Sequence, residues 1–114
     1  MASIGIDIVD VKDFAKKISR TKPLKERLFT DFEIASCKNS GIEHLASRLA
    51  AKEAFAKASG IRNLEWHDVE VKNLASGKPY FNFSGKAKKM MKKKKIELSI
   101  SNIKEIAVAI AVID

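Results

Sequence analysis

The segment from Glu43 to Ser59 constrains the fold of this chain more than any other stretch. At about 100° per residue, most of its leucines and alanines fall on one broad arc, and further apolar residues occupy much of the remaining circumference. A helix that is apolar nearly all round is usually buried, and Gly60 provides a stop signal at its carboxyl end. The pattern therefore predicts a long central helix that other elements must enclose.

Several segments with apolar residues predict strands that can cover this helix. Ile4, Ile6 and Ile8 alternate with small or polar residues, which is the period of two expected for a strand. The segment Ile106–Ile113 is apolar on both faces, so it is predicted to be a central strand. Shorter alternating runs predict further strands at Val69–Val71, Tyr80–Phe83 and Ile96–Ile100.

Polar signals predict two more helices in the first third of the chain. Asp10 can cap a helix whose apolar stripe runs from Val11 to Ile18. Thr30 and Glu33 form a capping box, which predicts a second helix ending near Lys38. Strands and helices therefore alternate without a steady βαβ order, and this is typical of an α+β protein with a mostly antiparallel sheet.

The length of the chain predicts one domain. Its 114 residues are enough for a single domain and too few for two, and we find no internal repeat or flexible linker. We therefore expect a single domain spanning residues 1–114. Because so small a domain buries only a modest core, assembly into an oligomer would help it to bury more apolar surface.

Cys37 is the only cysteine in the chain. It can form no intramolecular disulfide, and it belongs to no cysteine cluster of the kind that holds zinc. A reduced, cytoplasmic protein is the interpretation that this composition favours. No apolar run approaches the roughly 20 residues that a membrane-spanning helix needs.

The chain is strongly basic, with 22 basic and 14 acidic residues and a net charge of +8. Such an excess raises the rate of encounter with anionic partners without identifying them. Nucleic acid, an acidic membrane surface, an acidic protein and a phosphorylated small molecule are all compatible with it. The densest block of charge is Lys92–Lys95, a pattern that most often marks a solvated helix end.

Two carboxylates stand out against apolar surroundings. Glu53 lies inside the apolar arc of the long helix with Lys57 four residues later, and Asp7 shares a strand face with Gly5 and Val9. One interpretation is an ordinary ion pair between Glu53 and Lys57. The alternative is a divalent cation held by Asp7 and Glu53, because Mg²⁺ prefers a couple of carboxylates together with water and phosphate oxygens.

Four segments resemble the holo-acyl-carrier-protein synthases, a small bacterial group of phosphopantetheinyl transferases. They are GIDIVD, RLAAKEAFAKA, GKPYF and SISNIKEIAVAIAVI, and they occur in the order seen in that family. The resemblance implies the phosphopantetheinyl-transferase fold and a trimer with active sites at subunit boundaries. It also implies Mg²⁺-dependent transfer of 4′-phosphopantetheine from coenzyme A to a serine of apo acyl carrier protein, with release of 3′,5′-ADP, in support of fatty acid biosynthesis.

The resemblance also implies roles for individual residues. Asp7 and Glu53 match the magnesium ligands, and Glu53 and Lys57 are the catalytic candidates, with the general base left open between Glu53 and a water. The residues that match coenzyme-binding positions are Arg48, Lys57, Gly77, Lys78, Pro79, Ser101 and Asn102. The basic residues that match the docking region for the acidic carrier are Lys12, Lys16, Lys17 and Arg20.

The chain departs from the family pattern at one motif. The family usually has Ser-His-Thr before a lysine, whereas this chain has Ser101, Asn102 and Ile103 before Lys104. Asn102 can donate and accept hydrogen bonds but carries no charge, so weaker or altered affinity for the nucleotide is left open. The only histidines, His44 and His67, are predicted to have surface or structural roles.

Three functional readings remain at this point. The first is the Mg²⁺-dependent transferase, whose expected partners are coenzyme A, the acidic carrier and further copies of this chain, without nucleic acid or membrane. The second is an inactive homologue that binds the carrier protein without modifying it. The third is a small basic nucleic-acid-binding domain, although aromatic residues are not interleaved with the basic ones as stacking platforms would be.

Overall fold

The computed structural model describes residues 1–114 except the side chain of Lys22. The elements in chain order are β1 Ser3–Asp10, α1 Val11–Arg20, α2 Lys22–Leu28, α3 Asp31–Ser36, α4 Ile42–Ser59, β2 Val69–Asn73, β3 Pro79–Phe83, α5 Gly85–Met91, β4 Ile96–Asn102 and β5 Ile106–Ile113. A single 3₁₀ turn, Trp66–Asp68, precedes β2. This content confirms the predicted α+β class.

The strands form two antiparallel sheets, not one sheet. The larger sheet has the order β1-β5-β4, and the smaller sheet pairs β2 with β3. The prediction that Ile106–Ile113 is a central strand is therefore confirmed. The inner face of β5 consists of Ala107, Ala109 and Ala111, which are almost completely buried, while its other face carries the larger residues Val108 and Ile110.

The inner face of the large sheet packs against α4, and small side chains allow a close approach. Ala50, Ala54 and Phe55 of α4 are fully buried. A Cβ atom added to Gly5 of β1 would lie 1.9 Å from the carbonyl oxygen of Ala54 and 2.7 Å from the amide nitrogen of Ala58. The backbone of β1 therefore touches the backbone of α4 at Gly5, which places the neighbouring Asp7 beside the same helix.

We expect Gly5→Ala to lower the free energy of unfolding by about 3 kcal/mol, because the added methyl group meets backbone atoms that cannot rotate away. Urea denaturation measures this loss. Gly41→Ala is the matched control, since its Cβ would meet only the flexible carboxylate of Glu43, and we expect a change of less than about 1 kcal/mol. Equal losses in the two variants would contradict the close approach.

The helices before α4 agree in part with the sequence prediction. Asp10 caps α1 by accepting a hydrogen bond from the amide of Asp13 at 2.9 Å. The capping box of Thr30 and Glu33 is present at the start of α3, although this helix ends at Ser36, two residues before the predicted end. Helix α2 was not predicted, although Pro23 in its first turn is a signal for the start of a helix. Among the described residues, no helix is both long and apolar enough to cross a membrane.

Candidate active site

Asp7 and Lys57 form an ion pair where β1 meets α4. The Nζ atom of Lys57 donates to Oδ1 of Asp7 at 3.0 Å and to the carbonyl oxygen of Ile6, also at 3.0 Å. Asp7 is only 8% exposed, and its second oxygen, Oδ2, is buried without a hydrogen-bond partner. Lys57 thus pairs with Asp7 and not with Glu53, so the simple ion pair within α4 is wrong among the described residues.

Glu53 lies one helical turn before Lys57 and is half-buried beside Asp7. Burial and the neighbouring Asp7 carboxylate raise the pKa of Glu53 to about 7, against the opposing positive charges of Lys57 and Lys17. Two carboxyl groups that share a partly desolvated site resist simultaneous ionisation. Glu53 therefore exchanges its proton near neutral pH, as a general acid or base must.

This pair of carboxylates fits a hard divalent cation. A cation between them would relieve their mutual repulsion and provide a partner for Oδ2 of Asp7. Among the described residues, no histidine, cysteine or further acidic side chain joins Asp7 and Glu53 as the third member of a metal-binding cluster. The remaining ligands would be water and substrate oxygens, which is the coordination that Mg²⁺ adopts with phosphate substrates.

Glu53 opens onto a cleft of about 290 Å³ between β1, α1 and α4. Leu49 and Phe14 give this cleft an apolar wall, while Asp13 and Lys17 of α1 supply charged groups. Lys17 is one of the four predicted carrier-binding residues, and Lys12, Lys16 and Arg20 are also exposed on α1. The basic surface of α1 therefore adjoins the cleft that contains Glu53.

Four of the seven predicted coenzyme-binding residues meet in a second cleft, of about 210 Å³. It is lined by His44, Ser47, Arg48, Asn73, Gly77, Pro79, Ile100 and Asn102. The guanidinium of Arg48 donates to Oδ1 of Asn73 at 2.5 Å, and its Nε is buried without a partner. The orphaned Nε–H is a free donor for an anionic ligand. Arg48, Gly77, Pro79 and Asn102 are thus brought together, although they are far apart in the sequence.

Three of the seven predicted coenzyme-binding residues, Lys57, Lys78 and Ser101, lie outside this second cleft. Lys78 points to Glu97, with Nζ 3.3 Å from Oε2 and both side chains exposed. Ser101 pairs with Val108 on the outer face of the large sheet, opposite to the face of Asn102. The alternation of a strand separates these two neighbours, so Asn102 faces Arg48 and Ser101 does not.

Sequence reasoning missed four residues that line the second cleft, namely His44, Ser47, Asn73 and Ile100. Asn73 orients Arg48 from the end of β2, and no local pattern marks it. His44 is exposed and lines the cleft. The sequence analysis predicts only a surface or structural role for His44, although its position four residues before Arg48 places both on one helix face. That spacing was the signal available in the sequence.

The structure has two antiparallel sheets around α4, and the acidic pair and Lys57 lie where β1 meets this helix. This combination of fold and site corresponds to a known class of transferases. The family model described as the 4′-phosphopantetheinyl transferase superfamily matches residues 3–111. The chain belongs to this superfamily.

Its relatives narrow the class further. The chain is 43% identical to the holo-[acyl-carrier-protein] synthase of Geobacter metallireducens, with 96% of this chain and 94% of the relative covered. It is 39% identical to that of Alkaliphilus oremlandii, with 96% and 95% covered. These full-length matches place the chain in the holo-[acyl-carrier-protein] synthase family of enzymes, which confirms the resemblance found in the sequence.

Solved structures agree with the sequence relatives. The ACPS–CoA complex of Chronobacterium ammoniagenes superposes with a TM-score of 0.89 at 28% identity, covering 99% of this chain and 96% of that chain. The Helicobacter pylori holo-[acyl-carrier-protein] synthase in complex with coenzyme A has a TM-score of 0.85 at 29% identity, covering 97% and 99%. The fold found here is therefore that of these enzymes.

Proposed function

We propose that this protein transfers 4′-phosphopantetheine from coenzyme A to a serine of an apo acyl carrier protein, in the cytoplasm and in support of fatty acid biosynthesis. The observation that carries the proposal is the grouping of Asp7, Glu53 and Lys57, with a free buried oxygen on Asp7 and a Glu53 pKa of about 7. The coenzyme A complexes of two structural relatives support the choice of donor.

Asp7 and Glu53 are the proposed ligands of Mg²⁺. When bound, this ion supplies positive charge that offsets the charge of the coenzyme's pyrophosphate. Lys57, whose side chain is 59% exposed, would place its ammonium group near the same phosphates. Positive charge of this kind favours phosphoryl transfer because the leaving group gains negative charge in the transition state.

The proposed reaction breaks one phosphorus–oxygen bond and forms another. The serine oxygen of the carrier bonds to the β-phosphorus of coenzyme A, and the bond to the leaving 3′,5′-ADP breaks. The serine proton would pass to the Glu53 carboxylate or to a water molecule, and the chain does not select between them. Lys12, Lys16, Lys17 and Arg20 would attract the acidic carrier and so raise its rate of association.

We propose that the active site is completed by a neighbouring copy of the chain in a trimer. Glu53 and Arg48 are five residues apart, which separates them by about 140° around α4, and their clefts share no lining residue. A single chain therefore holds the carboxylates and the coenzyme-binding residues on different sides of one helix. Contact between copies would bring the two halves together.

The outer face of the large sheet is a surface on which copies could meet. Ile4, Ile6 and Ile8 are 64%, 59% and 66% exposed. They pair with Val112, Ile110 and Val108 of β5, and the two strands together give a continuous apolar face. Contiguous exposed apolar surface of this kind usually marks a protein interface.

We expect Ile6→Glu to convert the trimer to monomers, because a carboxylate in the middle of this face would be desolvated on assembly. Sedimentation velocity measures the change. Ile42→Glu is the control, since Ile42 is an exposed isoleucine at the start of α4, outside this face, and it should leave the assembly intact. A wild-type monomer, or a trimeric Ile6→Glu protein, would contradict the proposed interface.

The reaction itself is tested by the intact mass of the carrier protein. Purified protein is incubated with apo acyl carrier protein, coenzyme A and Mg²⁺, and one added phosphopantetheine is expected. EDTA should abolish the gain. No gain, with folded protein and with a carrier that another transferase does modify, would favour the inactive carrier-binding homologue instead.

Binding of Mg²⁺ at the proposed site can be detected by its effect on Tm, without measuring turnover. Cation binding requires ionised Glu53, whose folded pKa is about 7, so Mg²⁺ should raise Tm at about pH 8 and lose this effect as the pH falls through 7. Without Mg²⁺, the contribution of Glu53 to stability changes with pH in the opposite direction. The folded state then binds the Glu53 proton more tightly than the unfolded state between pH 4.5 and 7, so this group adds stability as the pH falls.

Differential scanning fluorimetry with and without Mg²⁺ measures both effects. Glu53→Gln should remove both, because the amide neither titrates nor binds the cation well. A Tm shift by Mg²⁺ that is equal at the two pH values, or that persists in Glu53→Gln, would argue against Glu53 as a ligand.

A further inference from the structure

The net charge of the protein is concentrated in one short segment. Seven lysines occupy the ten positions 86–95, and we call them the lysine surface: Lys86, Lys88, Lys89, Lys92, Lys93, Lys94 and Lys95. The other 15 basic residues are nearly balanced by the 14 acidic ones, so this surface accounts for almost all of the net charge of +8. All seven lysines are exposed.

The lysine surface has no internal counter-charge. None of its seven side chains forms an ion pair within 4.0 Å among the described residues. Glu97, the nearest acid along the chain, pairs with Lys78. Asp114 is joined to Lys95 by backbone hydrogen bonds, and its side chain pairs with the amino terminus at 4.0 Å. Seven like charges without compensation repel one another, and an external polyanion would relieve that repulsion.

Helix α5 holds three of these lysines, Lys86, Lys88 and Lys89, and the other four follow directly after its end at Met91. Ala87 and Met91, one turn apart, are buried and anchor the helix to the core. Met90 is 47% exposed among the lysines. Beside the helix lies an open basin of about 510 Å³, whose walls are Asn82, Phe83, Lys88, Lys89, Met91 and Lys92. The surface thus combines dense positive charge, one exposed apolar side chain and a recess that can admit an anionic headgroup.

We propose that the lysine surface binds the anionic face of a lipid bilayer and holds the enzyme there reversibly. Dense clusters of four to eight basic residues are typical of segments that associate with acidic phospholipids. The buried side of α5 is used by the core, so the attraction is mainly electrostatic and sensitive to salt. This inference replaces the sequence-based expectation that no membrane partner is bound.

A bilayer fits this surface better than nucleic acid does. Base recognition relies on arginine and on exposed aromatic platforms, and the lysine surface contains no arginine. Phe83, the one aromatic residue in the basin, is packed against Phe55 and Phe81 with ring centroids 5.0 and 5.6 Å apart. None of the seven lysines lines the clefts of Glu53 or Arg48, so the proposal does not depend on the proposed reaction.

Vesicle flotation tests the proposal with the full chain. Vesicles of phosphatidylcholine with about 30% phosphatidylglycerol should bind the protein, and vesicles of phosphatidylcholine alone should not. Binding to the acidic vesicles should be lost at about 1 M salt. A variant with Lys92, Lys93, Lys94 and Lys95 all changed to Gln should bind acidic vesicles at least about 100-fold more weakly, with its carrier-modifying activity unchanged.

The control variant removes the same number of charges from another surface. Lys12, Lys16, Lys17 and Arg20, all changed to Gln, should retain vesicle binding to within about 5-fold of the wild type. Equal losses in the two variants would show that net charge alone matters and would overturn the proposal. Tighter binding to a DNA duplex than to acidic vesicles at the same salt concentration would assign the surface to nucleic acid instead.

Discussion

Glu53→Gln should lower kcat for phosphopantetheine transfer by about 10³-fold or more, because the amide neither accepts a proton nor supports a divalent cation. The substitution keeps the size of the side chain and removes only its charge and its acid–base chemistry. The measurement is the initial rate of mass gain by the carrier protein at saturating coenzyme A. The loss should appear in kcat more than in KM, since Arg48 and the second cleft remain unchanged.

The variant should remain folded, which separates a catalytic effect from a structural one. Burial and the Asp7 carboxylate already disfavour ionised Glu53, so the neutral amide should leave Tm equal or higher above pH 7. Glu43→Gln, on the same helix, is the matched control and should retain wild-type activity. If Glu53→Gln kept more than about a tenth of kcat, the proposed role of Glu53 would be wrong.

Lys52→Met should lower the free energy of unfolding by about 3–5 kcal/mol, the loss expected when one member of a buried ion pair is removed. Lys52 and Glu33 are fully buried, with Nζ 2.6 Å from Oε1. Burial lowers the pKa of Lys52, while Glu33 and Glu70 act in the opposite direction. The Lys52 ammonium also donates to the carbonyl oxygens of Leu28 at 2.7 Å and Trp66 at 3.0 Å, so its removal takes one donor away from each of three acceptors.

Urea denaturation at a fixed protein concentration measures this loss. A second substitution, Glu33→Gln on the Lys52→Met background, should recover part of the stability because it removes the isolated buried charge. Lys78→Met is the matched surface control. Its partner Glu97 is about half exposed, so we expect a loss below about 1 kcal/mol. A loss of similar size in Lys52→Met and Lys78→Met would contradict the buried network.

This buried network of Lys52 and Glu33 could not be predicted from the sequence. The angular position of Lys52 on the long helix places it in one polar line with Arg48, but it does not indicate that Lys52 is fully buried. Its partner Glu33 lies in another helix, where it accepts hydrogen bonds from the amides of Thr30 and Val71 at 2.9 and 2.8 Å. Helix periodicity describes which residues share a face, but it carries no information about what another element brings to that face.

For the candidate site too, some features could be predicted from the sequence and others could not. Family motifs identified Asp7, Glu53 and Lys57 as candidates, and the structure groups them at the junction of β1 and α4. No sequence pattern indicated that Lys57 would pair with Asp7 instead of Glu53, or that Ser101 and Asn102 would face opposite sides of the sheet with only Asn102 reaching Arg48. Those outcomes depend on strand register and on how closely α4 approaches Gly5.

From the linear sequence we could predict the class of fold, the central position of Ile106–Ile113, the capping box at Thr30 and the family of enzymes. These features follow from interactions between residues a few positions apart or from ordered motifs, which a linear chain displays directly. Only the folded structure shows the split into two sheets, the burial of Lys52, and the separation of the Glu53 and Arg48 clefts. Each of these joins elements distant in the chain, because packing of backbone against backbone, and of charge against charge, is settled only when those elements meet.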